Sequence, residues 1–248
     1  MKNFTLFLDF DGVLFDTIRE VYLINRFVYR GIDLKHSIDE KNYKLFSKYK
    51  YLVYNIWMFY YYNPLIFNEI AENEIPNEFQ KNILKRNKKQ EEDFCLDFLD
   101  ARRRLINNDY EFWKNLEIPY QFFYNVKKLY EKEKINLVVV SKKNKKSIQE
   151  RFETYDFKLD ENNIFAREIL DQYPSKGAFL NEYMQKNDIE QAIFVDDNIN
   201  NLKTVDNPKI KTILALWGNV EPNSVGMDEK EAFDFILHQD KNWVEHLS

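Results

Sequence analysis

The sequence predicts an α/β fold: a doubly wound parallel sheet with an inserted helical domain. Three observations support this prediction. Continuous apolar runs of strand length recur along the chain, polar residues follow the ends of these runs, and segments with helical spacing lie between them. Strands that are apolar at every position are buried on both faces, which requires a parallel sheet covered by helices on each side.

Four apolar runs are predicted to form the strands. The first, at residues 4–10 (FTLFLDF), ends in acidic residues and a glycine, which suits a buried strand that opens into a turn. Between the later strands the chain carries apolar residues at helical spacing, so helix and strand alternate from Ile118 onward. The remaining strands are predicted at 135–140, 192–195 and 212–216, and the helices at 121–134, 145–157 and 176–186.

A helical insertion is predicted at residues 17–115, because this stretch has few helix breakers and no convincing strand. The α/β domain then comprises residues 1–16 and 116–248. Pro64 and Pro76 are expected to separate helices of the insertion, since proline lacks an amide donor and clashes with the preceding turn.

The most apolar segment of the chain lies at residues 49–67. Lys50, Asn55 and Pro64 interrupt it, and a membrane span needs ~20 predominantly apolar residues. A buried helix is therefore favoured over a membrane span. A dimer face or the wall of a substrate pocket is the next alternative.

Composition restricts the classes of partner and compartment. The formal net charge of -5 gives no general electrostatic footprint for nucleic acid. The single cysteine, Cys95, excludes an intramolecular disulfide and a cysteine-based zinc site, which fits a reducing compartment. Asp9 and Asp11 interrupt the N-terminal apolar stretch before a signal peptide is complete. We expect a cytoplasmic protein with no membrane anchor.

Asp9 and Asp11 stand two residues apart where the first strand ends, so their side chains emerge on the same side of an extended chain. Gly12 then allows a sharp turn. Two carboxylates this close repel each other, which raises one pKa or recruits a divalent cation. An ionised aspartate can attack phosphorus while a protonated one donates to the leaving oxygen. The alternative is a turn that merely favours Asp and Gly.

Other strand ends contribute Ser141, Asp196 and Asp197, and Lys176 opens a predicted helix. The carboxyl ends of parallel strands face one crevice, so these residues are expected to meet there. Mg²⁺ prefers oxygen ligands, and Asp9 with Asp197 could supply them. Ser141 could hydrogen-bond a phosphoryl group, while Lys176 could neutralise that group and keep Asp9 ionised.

Four segments, taken in this order, resemble the motifs of the haloacid dehalogenase (HAD) superfamily. The segment 9–16 (DFDGVLFD) is similar to the first motif, and Ser141 after a hydrophobic strand is similar to the second. Lys176 in YPSKGAFL resembles the third motif, and 194–198 (FVDDN) the fourth. The resemblance covers almost the whole chain. The insertion falls where this family places its C1-type helical cap, and the closing segment 233–247 resembles the family's final helix.

The resemblance implies a Mg²⁺-dependent phosphohydrolase that acts on a small phosphorylated metabolite through an aspartyl-phosphate. Asp9 would be the nucleophile and a metal ligand. Asp11 would protonate the leaving group and then activate water, with its backbone carbonyl on the metal. Asp197 aligns with the main metal ligand and Asp196 with an outer position. Asn201 stands where many relatives carry another aspartate, which puts a full second metal shell in doubt.

Further residues are assigned less directly. Lys142 is an alternative to Lys176 as the residue that neutralises the phosphate. Lys176 is preferred because it follows the order of the motifs along the chain and stands at the start of a predicted helix. Lys142 and Lys143 could attract an anionic substrate, although a solvated loop is the favoured interpretation. Asp16 is expected to cap the next helix.

The resemblance favours phosphate esters as substrates, because the dehalogenase and phosphonatase branches of the HAD superfamily lack an aspartate at the position of Asp11. An insertion with Tyr60, Tyr61, Tyr62, Arg102 and Arg103 suggests a small polar phosphate. Two alternatives remain. One is a phosphomutase, which needs the same groups. The other is a non-catalytic binding protein that keeps the fold.

Overall fold

The computed structural model describes residues 4–68 and 70–238, and the chain divides into two compact units. One unit comprises Met1–Asp16 with Ile118–Ser248, and the other comprises Thr17–Glu117. The first is an α/β unit and the second is helical. Buried apolar residues form separate clusters in the two units, so each unit has its own hydrophobic core.

A five-stranded sheet forms the centre of the α/β unit, with the strand order β5-β4-β1-β6-β7 and every pairing parallel. A second, two-stranded antiparallel sheet pairs β2 with β3. The strands are β1 (Thr5–Leu8), β2 (Phe15–Asp16), β3 (Ile118–Pro119), β4 (Asn136–Val140), β5 (Ile164–Phe165), β6 (Ala192–Asp196) and β7 (Ile210–Leu214).

Among the described residues, six α-helices belong to the helical unit, and the later α-helices pack around the sheet. Those of the helical unit are α1 (Ile18–Arg30), α2 (Glu40–Tyr49), α3 (Phe59–Phe67), α4 (Ile75–Ile83), α5 (Lys88–Asn108) and α6 (Tyr110–Lys114). Those of the α/β unit are α7 (Gln121–Glu131), α8 (Lys145–Thr154), α9 (Arg167–Leu170), α10 (Lys176–Lys186), α11 (Ile199–Leu202) and α12 (Glu229–His238).

Successive residues of β1 point to opposite faces of the sheet, and both faces are buried. Leu6 and Leu8 join a core that includes side chains of α7, α8 and α12. Phe7 joins a separate core that includes side chains of α10 and α11. Helices therefore cover the sheet on both sides, which confirms the doubly wound α/β class predicted from the continuous apolar runs.

The predicted strands are confirmed with shifted ends. β7 begins at Ile210, two residues before the prediction, and β1 is limited to Thr5–Leu8. β5 was not predicted, because two residues are too short to show a pattern. The closing helix is described as far as His238, and the rest of the predicted segment lies outside the described residues.

Aromatic side chains dominate the core of the helical unit. Tyr22, Phe46, Tyr62, Phe79 and Trp113 are fully buried there. Large rings bury much apolar surface with few rotatable bonds, so they contribute strongly to this core beside its aliphatic residues. Among the described residues, no helix combines the length and apolar character that crossing a membrane requires.

Two local predictions about the insertion were wrong. Pro64 lies inside α3 and does not end a helix. The buried rings of Tyr62 and Phe67 on the same helix hold that turn in place despite the missing amide donor. Asp16 belongs to β2, and Thr17 is the residue before α1. Pro76 does fall in the first turn of α4, where proline is tolerated.

Candidate active site

Asp9 follows β1 at the carboxyl edge of the sheet and is 8% exposed. Its backbone amide donates to the Val195 carbonyl oxygen at 3.0 Å, which extends the pairing of β1 with β6 by one residue. One carboxylate oxygen accepts from the Phe10 amide at 2.7 Å. The chain then reverses at Gly12, whose φ of 81° lies in the left-handed region. The hydrogen bond from Phe10 holds the Asp9 side chain in its direction.

Lys176 connects two of the acidic groups. Its ammonium lies 3.0 Å from Asp9 Oδ2 and 2.8 Å from Asp196 Oδ2. Lys176 is the first residue of α10, and the Ser175 side chain caps that helix by accepting from the Ala178 amide. The lysine is 4% exposed, so the ion pairs lie in a poorly solvated environment where charges interact strongly.

Burial shifts the pKa values of this group. Desolvation raises the pKa of Asp9 to about 6, against the opposing effect of Lys176. Desolvation likewise raises the pKa of Asp196, again opposed by Lys176. For Lys176 burial alone would lower the pKa, but the charges of Asp196 and Asp9 outweigh it and raise the pKa. The lysine is therefore a permanent cation beside two carboxylates with a reduced tendency to ionise.

Ser141 directly follows β4 and is 2% exposed. Its hydroxyl is hydrogen-bonded to the Asp9 carboxylate, which lowers the pKa of Asp9. Its oxygen also accepts from the Lys143 amide at 3.4 Å. The predicted proximity of Ser141 and Asp9 is thus observed.

Lys143 lies beside Asp11, with its ammonium 3.0 Å from Asp11 Oδ1. The Lys143 side chain is only 3% exposed, whereas that of Asp11 is 39% exposed. Lys142 is exposed, and its backbone carbonyl accepts from Arg167 Nε at 3.0 Å. The loop therefore directs Lys143 rather than Lys142 towards the acidic turn, which differs from the expectation that placed Lys142 near phosphate.

Asp197 lies against the turn at Gly12. Its Oδ2 accepts from the Asn219 backbone amide at 2.8 Å and from Asn219 Nδ2 at 2.9 Å. A Cβ atom added at Gly12 would lie 1.9 Å from Asp197 Oδ2, and one added at Gly218 would lie 2.4 Å from Asp197 Cβ. Both glycines are needed because the backbone approaches this carboxylate so closely.

Asn201 supports Asp196. Its Nδ2 lies 3.2 Å from Asp196 Oδ1 and 3.0 Å from Oδ2, and the Asn198 amide donates to Oδ1 at 2.8 Å. Asp196 is fully buried, and its carboxylate accepts from Lys176, Asn198 and Asn201. In this arrangement Asn201 orients the Asp196 carboxylate.

The three acidic residues at this edge fit a divalent cation. One carboxylate oxygen from each of Asp9, Asp196 and Asp197 can be chosen so that all lie within 4.8 Å of one another. Lys176 supplies one positive charge against these three carboxylates, which leaves an excess of two negative charges when all are ionised. A hard, oxygen-rich donor set with this charge suits Mg²⁺.

The insertion residues proposed from sequence make contacts within the helical unit. Arg102 Nε lies 2.8 Å from Glu20 Oε1 and Arg102 Nη2 lies 3.2 Å from Glu117 Oε1. The Tyr62 hydroxyl donates to the Phe46 carbonyl oxygen at 2.6 Å. Arg102 and Tyr62 therefore stabilise their own unit, and the small polar phosphate suggested from the insertion stays a prediction.

Sequence reasoning missed Asn219, which contacts Asp197, and it named Lys142 rather than Lys143 as the alternative to Lys176. Lys143 follows the end of β4 by three residues, which is a position where site residues are expected. Spacing alone cannot tell which of the adjacent Lys142 and Lys143 turns towards the acidic residues. Asn219 follows the last predicted strand and a glycine, which is the same signal that identified the other strand ends.

No family model matches the sequence, and no curated protein matches it. Solved structures do match. A haloacid dehalogenase-like hydrolase from Streptococcus pneumoniae aligns with a TM-score of 0.57 at 12% identity, over 95% of this chain and 100% of that one. A protein from Haemophilus somnus described as a predicted phosphoglycolate phosphatase gives 0.62 at 12% identity, over 97% and 100%.

A HAD-superfamily hydrolase of subfamily IA from Geobacter sulfurreducens gives a TM-score of 0.51 at 13% identity, over 94% of this chain and 96% of that one. The likeness extends over both units in each comparison. At such identities the agreement establishes the fold, and the chemistry of the site has to indicate the activity.

Proposed function

We propose that this chain, which has the fold of haloacid dehalogenase-like hydrolases, is a Mg²⁺-dependent phosphohydrolase of small phosphate monoesters. The observation that carries the proposal is the buried group of Asp9, Lys176 and Ser141 beside Asp196 and Asp197. This group supports the proposal, because it combines a buried carboxylate, a fixed cation and a metal-compatible donor set at one edge of the sheet. This combination suits attack on a phosphoryl group.

In the first step an oxygen of the Asp9 carboxylate attacks phosphorus, and the bond from phosphorus to the leaving oxygen breaks. Asp11 transfers its proton to that oxygen, so an alcohol departs and an aspartyl-phosphate remains. Lys176 and Ser141 act on the transferring group by donating to its oxygens. Lys143 contacts Asp11 and holds the proton-transferring carboxyl in position.

In the second step Asp11, now ionised, takes a proton from water, and the water oxygen attacks phosphorus. The bond to Asp9 breaks, which regenerates its carboxylate and releases inorganic phosphate. Asp9 and Asp197 would hold Mg²⁺, with Asp196 behind them, and the bound ion would neutralise charge on the phosphoryl oxygens. Asn219 and Asn201 keep Asp197 and Asp196 oriented.

Phosphate release from a panel of phosphate monoesters, with and without Mg²⁺, tests the proposal. Phosphoglycolate belongs in the panel because a structurally similar protein is described as a predicted phosphoglycolate phosphatase. Asp9→Asn should abolish release, while Asp171→Asn, an exposed aspartate of the same unit, should leave it unchanged. Isomerisation without net release would indicate a mutase. Lack of turnover by the folded, Mg²⁺-loaded parent would favour a binding protein.

A further inference from the structure

The segment that follows α11 contacts α10 at two positions of one helix face. The Gly177 amide donates to Thr204 Oγ1 at 3.0 Å, and one turn later Asn181 Nδ2 donates to Asp206 Oδ1 at 2.8 Å. Residues four apart on a helix lie on the same face, so the segment runs along a single face of α10. Lys176, which immediately precedes Gly177, belongs to the candidate active site.

The contact at Gly177 is close enough to fix where α10 begins. Gly177 is buried, and a Cβ atom added to it would overlap the Thr204 carbonyl oxygen. The two backbones therefore touch at a point where only glycine fits. A displacement of α10 at this contact would carry the adjacent Lys176 with it.

The Thr204 hydroxyl bridges the two segments. It accepts from the Gly177 amide and donates to the Asn201 carbonyl oxygen at 2.7 Å. Amides in the first turn of a helix have no acceptor within the helix, and a buried amide without an acceptor is costly. The Ser175 hydroxyl oxygen accepts from the Ala178 amide, and that of Thr204 accepts from the Gly177 amide. Both hydroxyls thus hold the first turn of α10.

The same bridge leads to the acidic cluster by a second route. Asn201, whose carbonyl oxygen accepts from Thr204, donates through its side chain to the Asp196 carboxylate. The Lys176 ammonium lies 2.8 Å from Asp196 Oδ2. Two side chains therefore hold Asp196, and the Thr204 hydroxyl is bonded to the backbone of one of them and to the residue that follows the other.

We propose that Thr204 is a positioning residue, which sets the place of the Lys176 ammonium in the candidate active site. The inference rests on the proposed phosphohydrolase function, in which Lys176 donates to oxygens of the transferred phosphoryl group. A charge-assisted hydrogen bond depends on distance and direction, so a small displacement of α10 would weaken it. Thr204 is exposed and acts through the Gly177 backbone, so this role requires no contact with the substrate.

Steady-state kinetics and inhibition by inorganic phosphate test the role of Thr204. Thr204→Val keeps the branched shape and removes the hydroxyl, so the Gly177 amide loses its acceptor. We expect KM for the best monoester and the inhibition constant of phosphate to rise by about three- to tenfold, as for partial loss of a charge-assisted hydrogen bond. A chain that is only destabilised would contain less active enzyme, which lowers the apparent kcat and leaves both constants unchanged.

Two further variants make the test specific. Thr204→Ser retains the hydroxyl and should keep both constants within about twofold of those of the parent. Asp206→Ala removes the second contact of the same segment, one turn further from Lys176, and should leave both constants unchanged. Parent values of the two constants in Thr204→Val, or an equal rise in Asp206→Ala, would refute the positioning role.

An outcome in which the proposed function itself fails is distinguishable. If the folded, Mg²⁺-loaded parent turns over no monoester, chemical denaturation tests the inference without activity. Thr204→Val should then destabilise the Asp196→Asn background less than the parent, because the ion pair that Thr204 supports is already weakened there. Asp206→Ala should destabilise both backgrounds equally. Equal losses for Thr204→Val in the two backgrounds would overturn the inference.

Discussion

At the scale of single residues, the contact between Lys143 and Asp11 distinguishes two adjacent lysines. The Lys143 side chain is 3% exposed and ion-paired with Asp11, whereas Lys142 is exposed. The sequence could predict that the loop after β4 is basic and lies at the same sheet edge as Asp9. It could not predict which lysine turns inward, because loop residues follow no period that assigns them a face.

Lys143→Ala is expected to lower kcat by about ten- to a hundredfold, since a misplaced proton donor loses much of the benefit of general acid catalysis. The proposed proton transfer depends on where Asp11 lies, and Lys143 is its ion-pair partner. Lys142→Ala serves as the matched control and should keep kcat within about twofold. Steady-state kinetics with the best monoester of the panel make the comparison. A larger loss in Lys142→Ala would contradict the assignment.

The pKa of Asp9 gives a pH prediction for Mg²⁺ binding. Burial raises this pKa from 3.8 to about 6, so between these values the folded chain keeps a proton that the unfolded chain has released. The contribution of Asp9 to the free energy of unfolding is therefore greatest below pH 3.8 and falls as the pH rises to about 6. Mg²⁺ binds the ionised form, so its stabilising effect should grow over the same range.

Thermal melts with and without Mg²⁺, at about pH 5 and about pH 7, check this linkage. The increase in Tm on adding Mg²⁺ should be larger at the higher pH. In Asp9→Asn the increase should be smaller and should lose much of its pH dependence. An increase in Tm that is equal at both pH values in the parent chain would exclude Asp9 as the titrating ligand.

At the scale of secondary structure elements, α3 shows where a local rule fails. Pro64 lies in its interior, and the sequence favoured a break there because proline lacks the amide donor. The burial of Tyr61, Tyr62, Leu65 and Phe67 on this short helix outweighs the missing hydrogen bond. Burial of that kind depends on partners distant in sequence, so a local pattern could not reveal it.

Pro64→Ala should raise the free energy of unfolding by about 1–2 kcal/mol. The full difference in helix propensity is about 3 kcal/mol, and the greater flexibility of the unfolded alanine chain offsets part of it. Pro76→Ala is the control, because Pro76 lies in the first turn of α4, where no amide donor is needed. Chemical denaturation of the two variants gives the comparison. A destabilised Pro64→Ala would show that the ring of Pro64 contributes packing that exceeds its backbone penalty.

The sheet itself was the most predictable part of the fold. The strands β1, β4 and β6 are apolar at nearly every position, and the two separate cores that contain Phe7 and Leu8 explain why. The same logic found Asp9, Ser141 and Asp196, since polar residues at the ends of buried strands meet at one edge. β5 escaped prediction because Ile164 and Phe165 alone carry no pattern.

At the scale of the whole molecule, the chain consists of two units with their own cores. The helical unit contains a buried ionic group in which Arg102 lies between Glu20 and Glu117, which are 2% and 0% exposed. Trp113 Nε1 also donates to Glu20 at 2.6 Å. Removal of one partner from such a group leaves buried charge behind, which is strongly destabilising.

Arg102→Ala should therefore destabilise the helical unit by about 3–5 kcal/mol. Hydrogen exchange should accelerate within Thr17–Glu117 and remain slow in the strands of the α/β unit, since the two cores are separate. Arg103→Ala removes an exposed partner of Asp100 and should change stability by about 0.5 kcal/mol or less. Acceleration spread evenly over both units would show that they unfold as one.

The antiparallel pairing of β2 with β3 has a consequence for how the chain can be rebuilt. Asp16 and Ile118 are register partners in that small sheet, although the entire helical unit lies between them in sequence. The insertion thus leaves and re-enters the α/β unit through neighbouring backbone positions, as a hairpin leaves and re-enters its sheet. A tight turn of about two residues, such as Asn-Gly, could close the same gap. The helical unit is in this sense an exchangeable loop of the α/β unit, and a gene that lost or replaced it would still encode every residue of the candidate active site.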